Sequence, residues 1–166
     1  KVKCVALTFD DGPSKHTKRL LKILAKRKVH ATFFVNGQNV RKQRKVVREA
    51  HRSGHQIGSH TWSHPRLTRV SKSKIRRELT RTTREITRVT GERPTIMRPP
   101  YGSQNAKVRR IARQQKLAVV TWDVDTNDWR HRSAKRTHDI AVKRTKRGSI
   151  ILMHDTHGST VDAVNG

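Results

Sequence analysis

The chain has 166 residues, of which 39 are Lys or Arg and only 12 are Asp or Glu, so its formal net charge is +27. This length suits one domain with a single core. Apolar residues make up 32% of the chain, and they nowhere form the run of about 18 or more that crosses a membrane. The single cysteine excludes an internal disulfide, and the apolar run around Cys4 predicts that its side chain is buried.

Short apolar runs in this polar sequence predict buried strands rather than a disordered polycation. In chain order we expect strands at Val5–Phe9, Ala31–Val35, Gln56–Ser59, Thr95–Arg98, Ala118–Trp122 and Ser149–His154. The basic stretches between them have helical patterns, at Lys15–Lys28, Arg41–Arg52, Lys72–Arg88 and Arg130–Arg147. This alternation predicts a parallel sheet wrapped by helices. No glycine loop of the dinucleotide-binding type occurs, which favours a barrel over an open sheet.

Two of these helices have the apolar spacing of a single buried face. In the first basic stretch the apolar residues are Leu20, Leu21 and Leu24. In the third they are Ile75, Leu79, Ile86 and Val89. We expect Ser71 or Ser73 to cap the amino end of this longer helix, and Gly91 to end it.

The few carboxylates are concentrated beside the apolar runs. Six of them stand at the ends of these runs or in the loops just after, namely Asp10, Asp11, Asp123, Asp125, Asp128 and Asp155. Active residues of a (β/α) barrel lie at the carboxyl ends of its strands. We therefore expect one edge of the barrel to gather Asp10, Asp11, His60, Arg98, Asp123 and His154.

The first two motifs together have the composition of a metal site. The segment 8–13, TFDDGP, ends a strand with Asp10 and Asp11, a pattern that alone is more typical of a turn. His60 and His64 have the i, i+4 spacing that puts two imidazoles on one side of a helical turn. Two histidines and one carboxylate form a zinc-type ligand set with positions left for water and substrate. Either aspartate completes this set, and the other is then free to act as a base.

Three further segments hold candidate residues of lower specificity. Arg98 precedes two prolines that stiffen the loop, which suits either a residue that keeps a carboxylate ionised or a surface arginine in a rigid turn. The segment 122–129 combines three acids with two tryptophans, as in a sugar site or a capped loop with core tryptophans. His154 closes an apolar strand, as a structural histidine or a general acid does.

In this order the five motifs resemble the polysaccharide deacetylase family, also called carbohydrate esterase family four or the NodB-homology domain. The matching residues are TFDDGP at 8–13, HTWSH at 60–64, RPPYG at 98–102, DTNDW at 125–129 and LMH at 152–154. The resemblance implies an α/β fold, a distorted and incomplete (β/α) TIM-like barrel with fewer than eight strands. It also implies one catalytic domain over residues 1–166 that lacks the last strand and helix of the family domain.

The resemblance assigns a metal site and a base. Asp11, His60 and His64 are expected to bind one divalent ion, zinc first, with cobalt or another transition metal as the alternative. Asp10 resembles the family's general base, and Arg98 the residue that orients this base and keeps it acidic.

The same resemblance assigns the remaining catalytic groups. The backbone N–H of Tyr101 is expected to help hold the oxyanion. His154 resembles the general acid, and Asp128 the carboxylate that fixes and charges its ring. The substrate is expected to contact Trp129, Leu152, Pro100 and Tyr101.

The implied activity is removal of N-acetyl groups from chitin oligomers or from peptidoglycan N-acetylglucosamine. Two alternatives stay open: an O-deacetylase of acetylxylan with the same machinery, and a polycation that binds nucleic acid or wall polymer without catalysis. The charge also predicts nonspecific binding to polyanions. We expect a monomer without a membrane span, located outside the cell or in the cell wall, although no signal peptide is visible in a chain that starts at Lys1 as a trimmed piece.

Overall fold

The computed structural model describes residues 4–165. It contains seven parallel strands: β1 Ala6–Asp10, β2 Thr32–Val35, β3 Gln56–Ser59, β4 Ile96–Met97, β5 Ala118–Val119, β6 Val124–Asp125 and β7 Ile150–His154. The six predicted strands are confirmed, with shorter limits for β4 and β5. The two-residue strand β6 is an addition, since its sequence lacks the apolar run that predicted the others.

The strands form one sheet in the order β5-β4-β3-β2-β1-β7-β6. From the central strand β1, the strands β2 to β5 follow in chain order in one direction around the curl. In the other direction β7 lies next to β1, and β6 lies next to β7. Among residues 4–165 no pairing joins β5 to β6, so the curl stays open at that point. The sheet is therefore a curled half-barrel surrounded by helices, which confirms the predicted incomplete (β/α) barrel with fewer than eight strands.

The helices lie between the strands, as the alternation predicts. Their bounds are α1 Thr17–Lys26, α2 Gly37–Lys42, α3 Arg44–Arg52, α4 Lys72–Thr90, α5 Ala106–Gln114, α6 Asp128–His131, α7 Ala134–Arg144 and α8 Gly158–Asn165. The second basic stretch contains parts of two helices, α2 and α3, which are separated by Gln43. The fourth contains the end of α6 and the whole of α7, which are separated by Arg132–Ser133. In the part of the chain that the structure describes, no helix is both long and apolar enough to cross a membrane.

The ends of α4 confirm the predicted capping residues. The Ser71 hydroxyl accepts a hydrogen bond from the backbone N–H of Lys74 at 3.2 Å, which satisfies one free donor of the first turn. Gly91 has φ 82° and ends the helix in the left-handed region, where a residue with a β-carbon would be strained.

The core consists of two apolar clusters, a larger one along β1, β2, β3 and β7 and a smaller one beside β4. The larger cluster holds Phe9 and Phe33, whose rings stack with centroids 5.4 Å apart, and the predicted leucine face of α1. The smaller cluster fills the space between α4, α5 and β4, with Leu79 and Met97 fully buried. The basic residues of these helices lie on their outer faces, away from both clusters.

Two expectations from the sequence are wrong. Cys4 is exposed, because it lies before the start of β1 and outside the sheet. Asp123 lies at the amino ends of the strands instead of the carboxyl ends. There its carboxylate accepts hydrogen bonds from the Ile150 N–H at 2.5 Å and the Ser149 hydroxyl at 2.8 Å, which secures the start of β7.

Substitution Leu79→Ala tests the buried face of α4. Leu79 is fully buried in the smaller cluster, so its truncation should lower the free energy of unfolding by about 2–5 kcal/mol. The exposed neighbour Arg77 gives the control, since Arg77→Ala should change stability by less than about 0.5 kcal/mol. Urea denaturation followed by circular dichroism measures both. Equal effects of the two substitutions would contradict this packing.

Candidate metal centre and active site

The carboxyl ends of the strands bring the sequence motifs together at one edge of the half-barrel. Asp10 is the last residue of β1 and pairs in register with His154, the last residue of β7. His60 directly follows β3, and Arg98 directly follows β4. Parallel strands place all these residues at the same edge, although up to 144 positions separate Asp10 and His154 in the chain.

Asp11, His60 and His64 converge on one point. The Asp11 Oδ1 atom lies 3.1 Å from His64 Nε2 and 3.5 Å from His60 Nε2. All three ligand atoms lie within 4.8 Å of one another, and no other group of three such residues in the described part of the chain meets this condition. The arrangement has the donor set and spacing of a three-ligand metal site with open positions.

His60 is prepared to act as a ligand through its second ring nitrogen. Its Nδ1 donates a hydrogen bond to the Arg98 carbonyl oxygen at 2.8 Å, which leaves Nε2 unprotonated and facing Asp11. Burial lowers the pKa of His60, although the charges of Asp10 and Asp11 oppose this effect. The ring is therefore neutral near pH 7, as a metal ligand must be.

Asp11 remains ionised in this partly buried position. Burial alone would raise its pKa, but the hydrogen bond to His64 and the charges of His60 and His64 outweigh burial, and the net pKa is far below the usual range. A carboxylate and two imidazoles are therefore available together, which fits a divalent transition ion.

A buried ion pair holds Asp10 beside this ligand group. Arg98 is fully buried, and its Nη1 donates to Asp10 Oδ1 at 2.8 Å and to the Thr8 hydroxyl at 2.7 Å. Its Nη2 donates to the Thr121 carbonyl at 2.9 Å, and its guanidinium lies 4.2 Å from the centre of the Phe34 ring. Burial lowers the pKa of Arg98, and Asp10 opposes the change. One Asp10 oxygen is thus fixed, while Oδ2 points toward His60 Nε2 at 3.7 Å.

His154 and Asp128 form a second charged pair across the cavity. His154 Nδ1 donates to Asp128 Oδ1 at 2.8 Å, and Asp128 Oδ2 accepts from the His154 N–H and the Thr160 hydroxyl at 2.7 Å each. Burial alone would lower the pKa of His154, but the hydrogen bond and charge of Asp128 outweigh it and raise the pKa. The imidazole therefore keeps its proton to a higher pH than a free histidine.

The loop from His60 to His64 is not the helical turn that the i, i+4 spacing predicts. Thr61 and His64 have φ values of 68° and 58°, in the left-handed region. Glu78 of α4 holds this loop, because its carboxylate accepts from the N–H groups of Trp62 and Ser63 at 2.9 and 2.8 Å. The sequence analysis missed Glu78. Its position on the apolar face of an otherwise basic helix is the signal that could have indicated it.

A cavity of about 460 Å³ opens beside the ligand group, within the size range of small-ligand sites. Of the predicted residues, the cavity is lined by Asp10, Asp11, His60, His64, Tyr101, Trp129, Leu152 and His154. Trp122 and Asp125 of the candidate segment 122–129 line it as well, together with Thr156 and His157, which the sequence did not indicate. Trp129 is 49% exposed, so its indole is available to a ligand.

The Pro99–Gly102 segment contributes mainly Tyr101 to this cavity. Tyr101 has φ 60°, and its ring packs edge-on against His64 with centroids 4.6 Å apart. Pro100 is buried behind it and is not among the residues that line the cavity. Arg98 and Asp128 also lie behind the cavity wall, where they contact Asp10 and His154.

Comparison with known proteins gives the family. The family model described as polysaccharide deacetylase matches residues 1–120. This chain belongs to the polysaccharide deacetylase family.

Individual relatives cover almost the whole chain. The peptidoglycan-N-acetylglucosamine deacetylase PgdA of Listeria monocytogenes is 39% identical over 98% of this chain and 34% of its own length. A chitin deacetylase of Pestalotiopsis is 39% identical over 94% of this chain and 54% of its own length. A solved structure described as T48 deacetylase with substrate has 47% identity and a TM-score of 0.95, over 98% of this chain and 80% of that one. The chain spans between about a third and a half of the length of these two curated relatives.

A buried acid, Asp155, lies beneath the loop that carries the first motif. Its Oδ2 accepts from the Thr17 hydroxyl at 2.5 Å, while Oδ1 has no hydrogen-bond partner in the described residues. A β-carbon on Gly12 would lie only 2.4 Å from both carboxyl oxygens, so the glycine at that position allows the loop to approach Asp155. Burial raises the pKa of Asp155 to about 7; the hydrogen bond from Thr17 opposes this rise and the charge of Asp11 adds to it.

This raised pKa makes stability depend on pH in the metal-free protein. An unfolded chain releases the Asp155 proton near pH 3.8, whereas the folded chain holds it to about pH 7. Asp155 therefore contributes its full stabilisation to the folded state below about pH 3.8. This stabilisation is lost as the pH rises to about 7, and the loss is at most about 4 kcal/mol. The uncharged variant Asp155→Asn should become more stable relative to the parent between pH 5 and 8.

Thermal unfolding of chelator-treated protein at several pH values measures this difference. Asp162→Asn, on an exposed part of α8, serves as the control and should follow the parent. A constant difference in melting temperature between Asp155→Asn and the parent across this pH range would rule out a titrating Asp155.

Proposed function

We propose that this chain is the catalytic domain of a metal-dependent hydrolase that removes N-acetyl groups from polysaccharides containing N-acetylglucosamine, such as chitin oligomers or peptidoglycan. One arrangement carries the proposal. The Asp11, His60 and His64 ligand group shares a cavity with a second carboxylate, Asp10, and a charged imidazole, His154. The names of the relatives refer to peptidoglycan and chitin, which favours an amide substrate.

Asp11, His60 and His64 would hold one divalent ion, most suitably zinc, with cobalt or another transition ion as the alternative. Bound there, such an ion would polarise the acetyl carbonyl and lower the pKa of a coordinated water. The short contacts between Asp11 Oδ1 and the two Nε2 atoms support this assignment, since they bring two imidazole nitrogens and a carboxylate oxygen to one point.

Asp10 acts as the general base. Arg98 fixes its Oδ1 at 2.8 Å, so Oδ2 is the oxygen that faces the ligand group and takes a proton from the attacking water. The ion pair with Arg98 holds the Asp10 carboxylate in this orientation. A buried arginine that touches only this carboxylate among the acids serves to orient it.

His154 acts as the general acid for the leaving group. An amine is a poor leaving group unless it gains a proton, and His154 holds one because Asp128 raises its pKa. Nδ1 is engaged with Asp128, so Nε2 delivers the proton to the sugar nitrogen.

The Pro99–Gly102 turn and the apolar wall complete the site. The backbone N–H of Tyr101 would donate to the oxyanion that develops on the acetyl oxygen, a contribution of about 3–4 kcal/mol for one well-placed donor. Leu152 and Trp129 would enclose the acetyl methyl group, and Pro100 would shape this subsite from behind Tyr101.

The same groups serve an ester as well as an amide, so an O-deacetylase acting on acetylxylan is the alternative within this chemistry. Both substrate classes occur outside the cell, which supports an extracellular or cell-wall location. We expect a monomer, since residues of a single chain supply the ligand group, the base and the acid. The basic surface adds nonspecific attraction to polyanions.

Acetate release tests the proposal. Protein loaded with zinc or cobalt is incubated with chitin oligomers, peptidoglycan and acetylxylan. We expect faster release from the N-acetylated substrates. Failure to release acetate from any of them with either ion would contradict the proposal, and a strong preference for acetylxylan would support the ester alternative.

Two variants separate the base from the ligands. Asp10→Asn should lower kcat at least about 100-fold while the metal content stays that of the parent, because it removes proton transfer alone. His64→Ala should lose bound metal and activity together. The control His138→Ala, on α7 away from the cavity, should change neither. Metal loss in Asp10→Asn equal to that in His64→Ala would place Asp10 among the ligands.

Asp128→Asn tests the general acid through its pH profile. The asparagine can still accept the Thr160 hydroxyl, but it no longer raises the pKa of His154. His154 then loses its proton at lower pH, so the alkaline limb of kcat should move to lower pH and kcat should fall about 100-fold. Asp139→Asn on the exposed side of α7 is the matched control. An unmoved alkaline limb would exclude His154 as the acid.

A further inference from the structure

A second concave surface lies between α4 and α5, away from the catalytic cavity. This groove has a volume of about 420 Å³ and is lined by three arginines, two threonines and two glutamines. Arg93 and Gln115 precede β4 and β5, so the groove reaches toward the amino ends of the strands, at the edge opposite the metal ligands. A molecule bound there would leave the cavity accessible.

The positive charge of the groove is not neutralised by acidic side chains of the described residues. None of its three arginines, Arg76, Arg84 and Arg93, forms a salt bridge within residues 4–165, and no carboxylate is among the lining residues. Arg76 Nη2 donates to the Gln114 side-chain oxygen at 2.9 Å, and Arg93 Nη2 donates to the Gln115 carbonyl at 3.0 Å. These two guanidinium groups are thus held in place with most of their donors free.

A buried hydroxyl in the groove also lacks a partner. Thr83 is 2% exposed, and its Oγ1 forms no hydrogen bond in the described part of the chain. Its neighbour Thr80 differs, since Thr80 Oγ1 donates to the Gln115 side-chain oxygen at 3.2 Å. An unsatisfied buried hydroxyl carries a desolvation cost, which a ligand oxygen at this position would remove.

We propose that this groove binds the phosphodiester groups of an anionic polymer that has no bases, namely a polyol phosphate. Guanidinium groups bind phosphate oxygens through paired N–H donors, and the Thr83 hydroxyl adds a donor at the floor of the groove. No aromatic side chain lines the groove, so it has no surface on which nucleobases stack. The groove therefore fits a polyol-phosphate chain better than a single-stranded nucleic acid, and it would hold the enzyme on a polymer distinct from its substrate.

Binding of fluorescently labelled poly(glycerol phosphate), followed by anisotropy at several salt concentrations, tests this site. The triple substitution Arg76→Gln, Arg84→Gln, Arg93→Gln should weaken binding at least about tenfold. It should also reduce the slope of log K against log salt by about 2, as expected for the loss of three phosphate contacts.

A charge-matched control separates a site from diffuse attraction. Arg136→Gln, Arg144→Gln, Arg147→Gln removes the same charge from α7 and the loop after it, at the other end of the sheet. This control should stay within about threefold of the parent. Equal weakening by the two triple variants would overturn the proposal. The proposal would also be overturned if oligothymidylate of equal length bound as tightly as poly(glycerol phosphate) and if the groove substitutions weakened its binding equally.

Single substitutions keep the test valid if the triple variant is unstable. Arg84 is exposed, so Arg84→Gln should preserve the melting temperature and still weaken binding severalfold. Thr83→Val should weaken binding at constant fold, and Thr83→Ser should restore it. Unchanged affinity in both Arg84→Gln and Thr83→Val would overturn the proposal. Because the readout is polymer binding, it is independent of acetate release.

Discussion

The ion pair between Arg98 and Asp10 depends on the curl of the sheet, and the site depends on this pair. The two residues end β4 and β1, which are separated by β3 and β2. On a flat sheet three strand spacings of about 4.8 Å would keep these strands roughly 14 Å apart. Their side chains meet at 2.8 Å because the sheet curves around them. A buried arginine needs hydrogen-bond acceptors inside the protein. The curl of the sheet brings Asp10 to Arg98, and this contact fixes the orientation of Asp10.

Four titratable groups at this edge have different charge states because their surroundings differ. His60 is neutral because it is buried, whereas His154 keeps its proton because Asp128 faces it. Asp11 is ionised beside two histidines, whereas burial beneath the same loop raises the pKa of Asp155. Hydrolysis of an amide at a metal site needs such differences, with an unprotonated histidine ligand and a protonated acid present at one pH.

The few acidic side chains and the many basic ones have different positions in the fold. Several of the acids accept defined hydrogen bonds: those at the site, Glu78 beside the loop from His60 to His64, and Asp123 at the start of β7. Most basic side chains instead cover the outer faces of the helices, where solvent reduces their repulsion. The groove between α4 and α5 is a place where this basic surface becomes concave and where arginines are held by neighbouring amides.

The sequence by itself determined the elements that depend on local pattern. The alternation of apolar runs and basic helices predicted six of the seven strands in the described residues, and the apolar face of α4 predicted its buried side chains. The sequence also offered Ser71 or Ser73 as the cap of α4, and the structure has Ser71 there. The motifs, read together with a family resemblance, also indicated the ligand group. Tertiary structure alone decided the support of that group by Glu78, the protonation of Asp155, the exposure of Cys4 and the position of Asp123 at the opposite edge. These features could not be predicted because each depends on which distant segments pack around a residue, and no periodicity near that residue records such contacts.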